Sequence, residues 1–262
     1  MKRTSITFLI ILSAMVSVAQ TTFPEYEAQV YRKGKSVLPY RIMYPKNFDK
    51  SKKYPLVFFL HGSGERGSDN SKQLAYGASL FASDSIRSEY PAIVVFPQCA
   101  EGDYWANVKL NQDDKGFRSY LFHPEAKPTP AMKALLGLVR QLSHKSYVDK
   151  NRIYVGGLSM GGIGTYELLY RKPNTFAAAI VICGGSDPKV VDKYAQKVPL
   201  WIFHGEADNI VLTEYSREMY NAILGLGGKV KLTTYPGVGH NSWENALKEP
   251  DLLHWLFSNS KK

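Results

Sequence analysis

Cysteine is scarce in this sequence: 262 residues carry two, Cys99 and Cys183. That scarcity excludes a small fold stapled by several disulfides and a thiolate-rich metal centre. Long apolar runs are also missing, apart from Ile6 to Val18 near the start, which is shorter than the ~20 residues a bilayer span needs. No segment repeats at a fixed period, no tract is of low complexity and no long block carries one sign of charge. Solenoids, fibres and charged disordered tails are therefore excluded.

At 262 residues and 44% hydrophobic composition, the chain suits one α/β domain with a sizeable core. Met1-Lys2-Arg3, the apolar run to Val18, and small side chains at Ser17 and Ala19 read as a signal peptide over residues 1–19. The domain is then residues 20–262, with the fold beginning near Thr21. No cysteine lies near the cut after Ala19, so a lipid anchor is not expected, and the shortness of the apolar run argues against a membrane anchor; export to a periplasm or the extracellular space is expected. The formal net charge of +10 falls by two, to +8, when Lys2 and Arg3 leave. The lysines read as scattered over a solvated surface, which makes nucleic acid a poor partner.

Tyr26 to Tyr31 and Leu38 to Tyr44 alternate in polarity around Arg32-Lys33-Gly34-Lys35-Ser36, which predicts an antiparallel edge hairpin. Leu56 to Leu60, Ala92 to Phe96, Ala178 to Ile182 and Leu200 to Phe203 are continuous apolar runs, the signature of strands covered on both faces. Helical patterns between most of them argue for a parallel sheet. One helix starts at the capping Thr129 and Pro130, with a stripe of Met132, Leu135, Leu136, Val139 and Leu142. Another is expected from Gln73 to Phe81, a last strand from Val230 to Tyr235 and a closing helix from Asp251 to Ser258.

Gly157-Leu158-Ser159-Met160-Gly161 follows the strand-like Arg152 to Gly156 and precedes a helical pattern that opens on small residues. This is the setting of a nucleophile elbow, a sharp strand-to-helix turn that lifts a serine hydroxyl above the sheet. Serine is a weak nucleophile unless a base and an orienting carboxylate stand by it. Asp208 fits the acid, because His204-Gly205-Glu206-Ala207-Asp208 leaves a buried strand; Glu206 and Asp187 compete for the role. His240 fits the base, returning from the last strand through Gly237 and Gly239. His61 and His204 end strands and read as buried, hydrogen-bonded structural histidines, while His123, His144 and His254 fall in a loop or on helices. Leu60-His61-Gly62-Ser63-Gly64-Glu65-Arg66-Gly67 is a glycine-rich turn after a buried strand. Its Ser63 N–H is expected to join that of Met160 in an oxyanion hole. A phosphate loop is the competing reading, but no G-K-[ST] follows.

These segments, with Pro97-Gln98-Cys99, Phe176-Ala177-Ala178-Ala179 and Gly239-His240, occur in an order that resembles the α/β-hydrolase superfamily. Within it, the chain is similar to secreted carboxylesterases and "predicted peptidases" near the phospholipase/carboxylesterase and dienelactone hydrolase branches. The resemblance implies an eight-stranded, mostly parallel sheet with the Leu56 and Arg152 strands side by side at its centre. It also implies the triad Ser159, Asp208 and His240, and an ester hydrolase acting on acetyl or feruloyl esters of plant polysaccharide. In such a sheet Cys99 and Cys183 end strands three spacings apart, about 14 Å, too far for a disulfide.

Only Gly184 to Val198 separates the strand after the elbow from the strand bearing the acid, too short for a cap domain, so an open site is expected unless a lid comes from elsewhere. The long insertion is Ala100 to Lys127. Trp105 within it is expected to wall the acyl or alcohol pocket, against the alternative of a structural rim tryptophan; Tyr104, Arg66 and Trp243 are further pocket candidates. The chemistry requires no cofactor or metal, and no ligand-spaced His/Cys cluster suggests one. The partner is then a small or polymer-linked ester. A peptidase with the same triad and a silent carbohydrate-binding protein on the same scaffold are the rival readings.

Overall fold

The computed structural model describes residues 23–112, 114 and 118–261; the expected leader lies outside them. Glu27–Lys33 (β1) and Ser36–Met43 (β2) form the edge hairpin. Tyr54–Leu60 (β3), Ala78–Ala82 (α1), Asp84–Glu89 (α2) and Ile93–Pro97 (β4) follow, then a second hairpin of Val108–Gln112 (β5) and Arg118–Phe122 (β6). Pro130–Ser143 (α3), Val148–Leu158 (β7), Met160–Arg171 (α4), Ala178–Ile182 (β8) and Leu200–Gly205 (β9) build the centre. Thr213–Gly225 (α5), Val230–Tyr235 (β10), Trp243–Ala246 (α6) and Leu252–Ser258 (α7) complete it.

The main sheet has eight strands in the order β1-β2-β4-β3-β7-β8-β9-β10, with β3 and β7 at the centre as expected. All pairs from β4 to β10 are parallel; only β1 and β2 run against their neighbours. Every residue of β3, β4, β8 and β9 is buried, which accounts for their continuous apolar composition. One core, around Leu56, Phe58, Leu135 and Leu138, lies under α3, α4 and α5; the other, around Val57, Phe59, Phe81 and Leu253, lies under α1 and α7. Thr129 caps α3 as expected, its Oγ1 accepting the Met132 N–H at 3.0 Å.

The register decides the function. Leu60 pairs with Gly157, Leu158 with Ile182, and Ile182 with Phe203, so the chain leaves β3, β7, β8 and β9 at one edge of the sheet. His61, Ser159, Cys183 and His204 all emerge or end there. The order also sets β4 and β8 three positions apart, and Cys99 and Cys183 are both buried and unbridged.

Two elements differ from expectation. The Gln73–Phe81 helix is broken into a short 3-10 turn, Lys72–Leu74, and α1, because Gly77 between them takes the left-handed φ of 85°. The Ala100–Lys127 insertion folds into the β5–β6 hairpin, which lays Tyr120 and Phe122 edge-on against Tyr215 of α5. The segment Gly184–Val198 supplies no lid, since Val191, Tyr194, Ala195 and Val198 are buried in the core. Among the described residues no helix is long and apolar enough to cross a membrane.

Candidate active site

Ser159 takes φ 52° and ψ −117°, a conformation L-residues rarely adopt, and strain of this kind runs to ~1–3 kcal/mol. The turn is fixed on both sides: Ser159 N–H donates to Ile182 O at 2.9 Å, and Ile163 N–H to Ser159 O at 3.0 Å. It also demands glycine. A Cβ at Gly157 would strike the Gly161 carbonyl, and one at Gly161 would strike the carbonyl of Leu60.

Ser159 Oγ lies 2.8 Å from His240 Nε2, and His240 Nδ1 lies 2.7 Å from Asp208 Oδ2. The Asp208 side chain is fully buried; the His240 ring is 20% exposed. Glu206 bonds instead to Thr234 and Asp187 to the Lys189 N–H, so neither rival acid stands in the relay. Burial would raise the Asp208 carboxyl, but hydrogen bonds from His204 and His240, the His240 charge and the Ile210 N–H outweigh it. Together they hold the group well below the usual carboxylate range.

Both Asp208 oxygens are saturated. Oδ1 accepts the N–H groups of Ile210 and Val211 at 2.9 and 3.0 Å, and Oδ2 accepts His204 Nε2 at 3.1 Å besides His240. His204 Nε2 is also 2.8 Å from the carbonyl of Val211, and both neighbours accept, so this nitrogen carries the proton. The ring is completely buried and its Nδ1 meets Ser216 Oγ at 2.7 Å. The structural role expected for His204 thus consists of fixing the acid.

His61 does the same for the glycine-rich turn. Cys99 N–H donates to its Nε2 at 2.9 Å, so Nδ1 bears the proton and donates to Gly62 O at 2.6 Å. In a trans peptide the N–H points opposite the C=O, and clamping the Gly62 carbonyl toward His61 turns the Ser63 N–H to the other side. That turn lies against the nucleophile: a Cβ on Gly62 would stand 3.7 Å from Ser159 Cβ. Met160 opens α4, where backbone N–H groups lack intrahelical partners.

The pocket candidates divide. Trp105 is 0% exposed, its Nε1 donates to His61 O at 3.2 Å and its Cβ packs where a Gly164 side chain would stand. It is a brace behind the turn and not a pocket wall. Arg66 also braces, donating from Nε to Ser63 O at 2.9 Å and from Nη1 to Asp103 O at 3.2 Å. Tyr104 packs on the core, and burial lifts its hydroxyl above the ordinary tyrosine range. Trp243 stands edge-on to His240 at 5.5 Å, with Tyr76 5.2 Å beyond it.

Sequence reasoning missed Tyr76 and Glu65. Glu65 Oε2 lies 3.1 Å from the point a Gly62 Cβ would occupy, and burial raises this half-buried carboxyl. Phe122 of the hairpin reaches within 3.1 Å of the corresponding point on Gly185, just past β8, so the hairpin borders this edge of the sheet. Cys183, Asp208 and His240 form the one set of potential metal ligands found among the described residues, with ligand atoms within 4.8 Å of one another. Asp208 and His240 already bond to each other there, and burial, with Asp208 nearby, pushes the Cys183 thiol above its ordinary range.

The sequence profile of the phospholipase/carboxylesterase family matches residues 47–251. The chain belongs to this family. It is a serine hydrolase of the α/β-hydrolase fold, of carboxylesterase or thioesterase type. An acyl-protein thioesterase 1 from Debaryomyces hansenii is 27% identical over 215 residues, which cover 74% of this chain and 87% of the relative. The crystal structure of a thermostable esterase superposes with a TM-score of 0.80 at 34% identity, covering 90% of this chain and 64% of that one. An uncharacterized peptidase of Bacillus subtilis, YuxL, is 24% identical over 76% of this chain, which spans 33% of its length.

Two predictions follow from the paired histidines. Replacing His204 with Phe removes a donor from Asp208 and strands the Val211 carbonyl, so kcat on p-nitrophenyl acetate should drop about tenfold or more with KM within about twofold. Unchanged kcat in a folded variant would show that the acid needs no such support. Burial, the largest influence, and Arg66 lower the His61 pKa to about 4. The unfolded chain, whose histidine titrates near pH 6.5, therefore binds the extra proton first, and stability falls as pH drops from about 6.5 to about 4. In urea unfolding at several pH values, His61→Gln should show a shallower decline across that window; an equal slope contradicts the assignment.

Proposed function

We propose that this hydrolase cleaves carboxylic esters through an acyl-enzyme on Ser159. The observation that carries the reading is the continuous relay at the strained elbow, 2.8 Å from serine to histidine and 2.7 Å from histidine to aspartate. His240 Nε2 takes the Ser159 proton as Oγ attacks the ester carbonyl, and the N–H groups of Met160 and Ser63 hold the oxyanion. The alcohol leaves with the proton from His240. Water, deprotonated by the same nitrogen, then attacks the acyl carbon, and Ser159 recovers its proton as the acid departs. Asp208 keeps His240 in the tautomer that presents a lone pair to the serine.

The substrates we propose are acetyl or feruloyl esters of plant polysaccharide, or related short-acyl esters, met by a protein exported after loss of residues 1–19. A short β8-to-β9 connection without a cap and the aromatic pair Trp243 and Tyr76 beside His240 support a bulky, polymer-linked alcohol. The peptidase relative sustains amide cleavage as a second reading, and the thioesterase relative makes thioesters the third bond to compare.

Ser159→Ala should lose at least about 10³-fold in kcat/KM on p-nitrophenyl acetate with an unchanged far-UV circular dichroism spectrum. On the intact protein, acetylated xylan and methyl ferulate should outpace aminoacyl amides and acyl thioesters. Retained turnover in the alanine variant removes the mechanism, and preference for the amide or thioester removes the substrate.

A further inference from the structure

The lysines that look scattered along the sequence are gathered by the topology. In a parallel sheet every strand starts at the same end, and here the segments leading into β3, β9 and β10 bring Lys52 and Lys53, Lys197, and Lys229 to the end opposite Ser159, where the first residues of β7 add Lys150 and Arg152. Residues 254–261 run across this end, tied down by Lys261 N–H donating to Asn151 O at 2.9 Å, Lys261 Nζ to Asn174 O at 3.1 Å, and Tyr154 Oη to Asn259 O at 2.7 Å.

Two concavities follow one another along that segment. The first, about 420 Å³, is lined by Lys52, Lys53, Glu89, Arg152 and His254 among others. The second, about 490 Å³, is lined by Asn174, Gln196, Lys197, Lys229 and Lys261 among others. Six cations thus face a single lining carboxylate. Arg152 is paired with Asp149 at 2.7 Å, whereas none of the five lysines stands in an ion pair among the described residues. The nucleophile's end is mixed in sign: Glu65, Asp69, Glu101, Asp103, Asp187 and Glu206 lie on its turns beside Arg66, Lys72 and Lys189.

We propose that this trough binds a carboxylated polysaccharide chain, holding the protein on the polymer with Ser159 at the far end of the sheet. The trough follows roughly 15 Å of chain, a helical turn and then extended residues, which suits an oligomer better than a single sugar. The lysines offer point charges on flexible stems, matched to a loosely ordered row of carboxylates; the one guanidinium, the fork suited to phosphate, is already held by Asp149. Tyr90 and Phe257 are stacked on each other at 5.0 Å, and ring faces spent in this way offer no platform for nucleobases. The inference stands whether or not Ser159 is the nucleophile.

The test is binding of the full mature chain to polygalacturonate in dilute salt, by affinity electrophoresis. Lys52, Lys53, Lys197 and Lys229 are all exposed, and changing all four to Gln should weaken binding about tenfold or more. A control with the same charge lost at the other end, Lys33→Gln, Lys35→Gln, Lys109→Gln and Lys133→Gln, should stay within about twofold of the parent. Turnover of p-nitrophenyl acetate should be the same in all three proteins, which separates loss of docking from loss of fold or catalysis. Equal weakening in the control, no binding by the parent, or tighter binding to an oligonucleotide of matched charge overturns the proposal.

Discussion

A single backbone conformation organises this molecule: the positive φ of Ser159 at the end of β7. It forces the chain from strand to helix within one residue and lifts the side chain clear of the sheet. It tolerates no side chain at Gly157 or Gly161, where the turn presses on its own backbone and on the carbonyl of Leu60. Strain of a few kcal/mol persists only where the surroundings over-determine it. Here they do so through the buried strands on either side, and through the hydrogen bond from Ser159 N–H to Ile182 O that ties the elbow to β8.

Around that turn the acid and the glycine-rich loop are each steadied by a buried histidine or aromatic ring. His204 and two backbone N–H groups saturate Asp208, which in turn orients His240. His61 holds the Gly62 carbonyl, Trp105 the carbonyl of His61 and Arg66 that of Ser63, so three successive peptides of the turn are fixed. The two buried histidines stand at equivalent places, directly after Leu60 and Phe203, because the register brings the ends of β3 and β9 level with the elbow. Proton placement on both follows from their neighbours alone: a carbonyl or carboxylate compels a donor, and the Cys99 N–H compels an acceptor.

Much of this was legible in the sequence because backbone chemistry leaves local marks. Continuous apolar runs gave the parallel strands, Thr129 and Pro130 gave the start of α3, and the glycines around Ser159 gave the elbow. Ser159 could be named because it directly follows a strand that the pattern identifies, and Asp208 and His240 because each lies in the loop that leaves such a strand. What stayed hidden depends on contacts distant in the chain. Trp105 looked like a pocket wall because it sits in an insertion bordering the cleft, yet its burial is set by Gly164, a vacancy on α4 that no local pattern reveals. The β5–β6 hairpin inside that insertion was not anticipated, and its seat depends on Tyr215, about a hundred residues further on. The gathering of lysines at one end is likewise a property of parallel topology, since segments far apart in sequence all begin at the same edge.

The claim on which the rest turns is that the strained serine is the nucleophile, and covalent labelling reads it without assuming a substrate. A fluorophosphonate probe, followed by proteolysis and mass spectrometry, should place the adduct on Ser159, and changing His240 to Ala should suppress the labelling rate. An adduct on any other residue, or labelling at an undiminished rate without His240, would contradict the account.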